Sequence, residues 1–284
     1  MEKIAVVTDT GSNLSFAQAK ELGIYLLPLQ ITIDETTYQD TLEISTQDIY
    51  KELAKGKMPK TSMAAYQKIY DLFEELKKEY DTVFAIPLTN GLSTNASTMQ
   101  SIARELEMNV HVIDMYATCA LEKHVAIWIK KLVNEHKSSE EILKIIQPAI
   151  DESNSLILVK NLQHLKRGGR LTPMAATLAG LLKIYPVLHI NKSTKGRIDV
   201  LNKVRTEKRA DAYAIDKVID DIDIEHTVIY IIHSNFLEGA NHFKKCFIEK
   251  GVPEQNIHID YISSVIAVHT GLGCIALQYI RKEN

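Results

Sequence analysis

Short apolar runs alternating with helically spaced apolar segments predict an α/β protein of two domains: a mostly parallel sheet flanked by helices, then a mixed α/β half. Ile4–Thr8, Thr82–Pro87 and Asn109–Asp114 are brief strand-like stretches. Between them, Tyr66, Ile69, Tyr70, Phe73 and Leu76 recur at helical spacing across Ala64–Glu79. The 284 residues, 45% of them apolar, suffice for two separate cores.

After the strand Ile4–Thr8, the run Asp9-Thr10-Gly11-Ser12-Asn13 is dense in turn formers. Ser15 with Gln18 forms a capping box and Gly23 supplies a stop, so Phe16–Leu22 is predicted as a short helix. Tyr25–Ile33 reads as the second strand, and the helix Ala64–Glu79 as starting at Thr61-Ser62. Met99, Ile102, Ala103 and Leu106 mark a helix that begins close to Ser93. Leu121, Val125, Trp128, Ile129 and Leu132 stripe a long helix, and Ser138 with Glu141 caps the next, before Ser155–Val159 closes this first run. Loops at the carboxyl ends of such strands carry function, which draws attention to Thr8–Ser12, Leu88–Ser93 and Asp114–Thr118.

The texture changes after Val159, giving domains 1–160 and 161–284. Lys166-Arg167-Gly168-Gly169-Arg170 is a basic glycine loop, and Thr172-Pro173 is a helix start. Tyr185–Ile190 and Arg197–Val204 flank the turn-rich Lys192–Gly196 as a hairpin. A helix over Glu207–Val218, a strand over Thr227–Ile232, a helix near Glu238–Lys250, a strand over Asn256–Tyr261 and a last helix after Gly271 complete this half.

Composition removes several functions. With 33 Lys plus Arg against 36 Asp plus Glu, the formal charge of -3 offers no broad surface for nucleic acid or anionic membrane. Cys119, Cys246 and Cys274 are isolated, which fits a reducing, cytoplasmic setting, and neither a signal peptide nor an integral membrane segment is expected. No phosphate-loop motif and no metal-binding histidine spacing occur, so neither metal nor cofactor is expected. Gly271-Leu272-Gly273-Cys274-Ile275-Ala276 imitates a dinucleotide fingerprint, but the chain ends at Asn284, before the acidic residue that such a site places about 20 positions on.

Gly91-Leu92-Ser93 sits between a strand and a helix, where a hydroxyl can cap the helix or help hold an anion. Thr61-Ser62 has the same two readings. His269 fits a structural or a functional role, Asp9 a turn or a loop-positioning one, and Lys166–Arg170 a solvated turn, a phosphate site or a docking surface.

In order along the chain, Thr8-Asp9-Thr10-Gly11-Ser12-Asn13-Leu14, Leu27-Pro28-Leu29, Tyr38-Gln39-Asp40, Thr61-Ser62, Gly91-Leu92-Ser93 and Val112-Ile113-Asp114 are succeeded by Leu165–Arg170, Pro186-Val187-Leu188 and His269-Thr270-Gly271 with Gly273. This ordered set resembles the DegV family, which includes the fatty-acid-binding subunits of bacterial fatty acid kinase. The resemblance implies a two-domain fold that holds one long-chain fatty acid, of the palmitate, stearate or oleate class, in an apolar tunnel. It implies that Thr61 and Ser93 hold the carboxylate, that His269, Ser62 and Asp9 support that network, and that Arg170, Gly168 and Gly169 border the tunnel mouth where a partner docks. Catalysis then belongs to an ATP-dependent fatty acid kinase, and the chain itself is not an enzyme. Some positions leave the family pattern: Met63-Ala64-Ala65 stands for Gln-Pro-Ser, Thr94-Asn95 for Gly-Thr, and Met115, Cys119, Leu121 and Lys123 for small residues. Two rival readings are a serine hydrolase using Ser93, His269 and Asp9, which lacks G-x-S-x-G, and a small-molecule-sensing regulatory module.

Overall fold

A computed structural model describes residues 2–181 and 184–283. β1 (Ile4–Asp9) is buried along its whole length, as expected of a parallel strand covered on both faces. A 3-10 turn over Thr10–Ser12 comes next, then α1 (Phe16–Leu22) with the Ser15–Gln18 capping box and Gly23 in the left-handed region. Tyr25–Ile33 divides into β2 (Tyr25–Leu27) and β3 (Gln30–Ile33), a correction to the single strand read from the sequence. Pro28 lies at the break and has no N–H with which to continue a ladder. β4 (Thr36–Gln39), α2 (Thr46–Ala54) and β5 (Lys60–Ser62) are the next elements, and β4-β3-β5 forms a small antiparallel sheet. Thr61 and Ser62 are thus strand residues, not a helix start: α3 begins at Tyr66 and runs to Leu76 without a side-chain cap.

β6 (Thr82–Ile86), α4 (Asn95–Glu105) and β7 (Val110–Val112) complete a parallel sheet in the order β2-β1-β6-β7. α5 (Ala120–Asn134) and α6 (Ser139–Glu152) pack Val125, Trp128, Ile142 and Ile146 onto one face, where Val6 and Phe84 meet them. Ile69, Phe73, Met99 and Ile102 of α3 and α4 cover the other, against Val7 and Ala85.

β8 (Asn154–Leu158) does not close this sheet. It lies inside the second, six-stranded one, of order β10-β9-β8-β13-β11-β12, antiparallel except for β11 with β12. α7 (Leu162–Arg167) and α8 (Pro173–Leu178) precede the hairpin β9 (Tyr185–Ile190) and β10 (Asp199–Val204), which is as read from the sequence. Beyond it lie α9 (Glu207–Asp221), β11 (Thr227–His233), α10 (Leu237–Glu249) and β12 (Ile257–Tyr261). The last segment corrects a second expectation, because α11 (Ser264–Thr270) precedes Gly271, and the chain beyond that glycine forms the strand β13 (Ile275–Arg281). α9 and α10 cover one face of this sheet. Its other face contributes Ile157, Leu188, Ile232 and Ala276 to the core that also holds Ile69 and Phe73, so one apolar layer runs between the two sheets.

Candidate functional site

Three segments converge at the edge of that shared layer: β5, the loop between β6 and α4, and α11. They line a cavity of about 400 Å³ with Thr61, Ser62, Ser93, Arg170 and His269 around it and Leu29, Leu92, Ile198 and Val265 supplying apolar wall. His269 Nε2 lies 2.7 Å from Thr61 Oγ1. Burial, reinforced by the positive charge of Arg170, pulls the His269 imidazole down to about 3, so the ring is neutral at physiological pH. Its Nδ1 is buried with no hydrogen-bond partner among the described residues. A neutral ring protonated on Nε2 donates to Thr61, and the Thr61 hydroxyl proton is then free to point into the cavity.

Ser93 reaches the same state by another route. Its Oγ accepts the Asn95 backbone N–H at 3.2 Å, a turn bond two residues on at the entry to α4, which leaves its own proton available. Turn bonding and cavity lining are therefore two uses of one hydroxyl. With His269 protonated on Nε2, both alcohols have their acceptor sides engaged and their donors uncommitted, the arrangement that suits a carboxylate.

Asp9 does not reach the cavity. Completely buried at the end of β1, it accepts from Gly11 N–H at 2.8 Å, Leu88 N–H at 2.9 Å and Asn95 Nδ2 at 2.6 Å, and so anchors the loop that carries Ser93. Burial pushes its carboxyl up, against these donors; the neighbouring Glu122 is held well above its ordinary value by burial and by Asp9's charge. Ser62 lines the cavity but turns its hydroxyl toward Gln30 Oε1 at 3.4 Å. Arg170 donates to the Gly168 carbonyl at 2.7 Å and forms no ion pair among the described residues. Gly168 backs the histidine: a Cβ there would stand 2.9 Å from His269 Nδ1. Gly169 is exposed and adopts φ 74°.

The family model for uncharacterised proteins of the DegV family matches residues 3–282. The chain is a member of that family. A DegV domain-containing protein of Halalkalibacterium halodurans is 33% identical, covering 99% of this chain and 100% of its own, and one from Listeria innocua is 30% identical with 99% of each covered. Among solved structures, the fatty acid binding DegV family protein of Streptococcus agalactiae superposes with a TM-score of 0.91 at 29% identity over 100% of both chains. DegV, a fatty acid binding protein from Bacillus subtilis, gives 0.86 at 28% identity over 99% of this chain and 100% of that one.

Of the departures from the DegV pattern, Met63 and Thr94 line the cavity, whereas Met115, Cys119 and Leu121 do not. Met115 and Leu121 pack under α5 and α6, and Cys119 Sγ lies 3.6 Å from Ser263 Oγ. Sequence reasoning missed Asn95, whose side chain is fully buried, and the apolar wall given by Val265 and Ile266 of α11. The signal for Asn95 was a third polar residue directly after Ser93 and Thr94 at a helix start. A larger cavity of about 550 Å³, walled by Lys160, Asp211, Phe236 and His242, borders the α9–α10 core; Pro186 and Gly273 of the ordered motif set line it, but none of the candidate head-group or docking residues does.

Proposed function

We propose that this chain binds one long-chain fatty acid with its carboxylate at Thr61 and Ser93 and presents that carboxylate to an ATP-dependent kinase, without catalysing a reaction itself. The observation that carries this reading is the pair of hydroxyls, one backed by neutral His269 and one by the Asn95 N–H, facing a single cavity with apolar walls. The solved DegV structures described as fatty acid binding, at 28% and 29% identity, support the ligand class. Burying roughly 14 methylenes at about 0.8 kcal/mol each gives on the order of 11 kcal/mol, which exceeds association costs of several kcal/mol. The tail can thus supply the affinity, and the hydroxyls need only fix the head group. Neutral donors leave carboxylate oxygen nucleophilic toward a phosphorus atom. Arg170, with Gly168 and Gly169, is the proposed docking border.

The hydrolase alternative finds no support in the contacts. His269 bonds Thr61, not Ser93, and Asp9 bonds Gly11, Leu88 and Asn95, so no Ser93–His269–Asp9 relay is present among the described residues. Ser93 should stay unlabelled by a fluorophosphonate.

Organic extraction of purified protein followed by mass spectrometry should yield one acyl chain per protein. Ser93→Ala should keep that lipid but lower acyl-phosphate formation by an added fatty acid kinase and ATP by at least about tenfold. Full activity of Ser93→Ala would remove the assigned role, and extracts without lipid from protein that also fails to take up added fatty acid would remove the function.

A further inference from the structure

Resting on the head-group reading above, we propose that Asn95 is a positioning residue that fixes the spacing of the Thr61 and Ser93 hydroxyls by bonding both segments that carry them. Asn95 is completely buried. Its backbone N–H holds Ser93 Oγ at 3.2 Å. Its side-chain Oδ1 accepts the Ala64 N–H at 3.3 Å, in the segment that leads out of β5 just beyond Thr61. Its Nδ2 donates to Asp9 Oδ2 at 2.6 Å, and Asp9 is itself held by Leu88 and Gly11. A carboxamide carries a donor and an acceptor on one rigid plane, so fixing Nδ2 on Asp9 also fixes where Oδ1 can hold Ala64.

A second contact spans the same seam. Thr94 Oγ1 and Thr98 Oγ1 lie 3.4 and 3.3 Å from Met63 Sδ. The two loops therefore meet at two points, Met63 with Thr94 and Ala64 with Asn95. A proline at position 64 would have no N–H to offer; Ala64 has one, and Asn95 takes it. The two loops are joined by these contacts, with the hydroxyls on either side of the join.

The test compares binding of a long-chain fatty acid with that of the alcohol of equal length, on delipidated full-length protein. The two ligands share the tail and differ in the head group, so a merely looser fold weakens both, whereas lost hydroxyl spacing weakens the acid selectively. Asn95→Ala should lower the acid-to-alcohol affinity ratio about tenfold, the size of one hydrogen-bonded contact. Ala64→Pro cuts the same tether and leaves Asn95 bonded to Asp9, so it carries the comparison if Asn95→Ala does not fold. The double variant should be no worse than Asn95→Ala alone, because both substitutions remove one interaction. An unchanged ratio in the single variants, or losses that add in the double, would overturn the inference. Failure of wild type to bind the acid would sink the head-group reading and this inference with it.

Discussion

A neutral imidazole has one N–H, and its placement on His269 decides what Thr61 can offer a ligand. On Nε2 it donates to Thr61 and frees the hydroxyl proton; on Nδ1 it would draw that proton back toward the ring. The depressed pKa has two consequences. The ring should not titrate between about pH 8 and about pH 5, read from its C–H resonances by NMR. Its ordinary value is 6.5 and its folded value about 3, so the unfolded chain takes up the proton first as pH falls. The stability gained by keeping the ring neutral is present above 6.5 and drains away as pH drops toward about 3. His269→Gln should thus lose less stability than wild type on acidification from about pH 7 to about pH 4, measured by urea midpoints. Asp40, raised to about 6 from 3.8 by burial, has the opposite sign, its contribution fading as pH rises through about 6, and it acts equally in both proteins. A larger acid sensitivity in His269→Gln would contradict the neutral ring.

Among the elements, the loop between β6 and α4 matters most, because its fit against the β9–β10 hairpin sets where Ser93 stands. A Cβ on Gly91 would collide with the Gly196 carbonyl in the β9–β10 hairpin. Gly91→Ala should therefore displace one loop or the other and cost about 1–3 kcal/mol, seen as a lower melting temperature. A variant as stable as wild type would show that the loops can separate freely. Capping boxes at Ser15 and Ser138 and the stripe of α3 were legible in the sequence because they are local and one-sided. α11 and β13 were misread for the reason that makes them central. Ser264, Val265, Ala267, Val268 and Thr270 are all buried, so α11 shows no stripe. Ile275–Ile280 is buried on both faces of β13 and shows no alternation. Likewise, β8 carried no mark of which sheet it joins, since pairing across the chain is a tertiary choice. The candidate site was legible as an ordered set of motifs; that Thr61 and not Ser93 meets His269 was not, because the contact spans 208 residues.

Across the whole molecule, a few polar contacts, most of them buried, fasten the segments around the parallel sheet to those around the six-stranded one. Gln278 on β13 accepts the Ala120 N–H at 3.0 Å and donates to the Thr118 carbonyl at 2.9 Å and to Ser155 Oγ at 3.0 Å. Tyr50 donates to the Ile262 carbonyl at 2.7 Å, and Lys123 pairs with Asp260 at 2.7 Å. Gln278→Leu would strand three buried partners and should cost about 2–4 kcal/mol by urea unfolding, whereas an unchanged midpoint would deny the clamp. In the proposed function, the hydrocarbon chain lies in the apolar layer between the two sheets and the acid at the alcohols on its edge. Electron density from crystals grown without added lipid tests this most directly. The account predicts one elongated chain between the sheets with its forked end against Thr61 Oγ1 and Ser93 Oγ. A fatty acid soaked to saturation that lies elsewhere, or leaves both hydroxyls without a carboxylate, would contradict it.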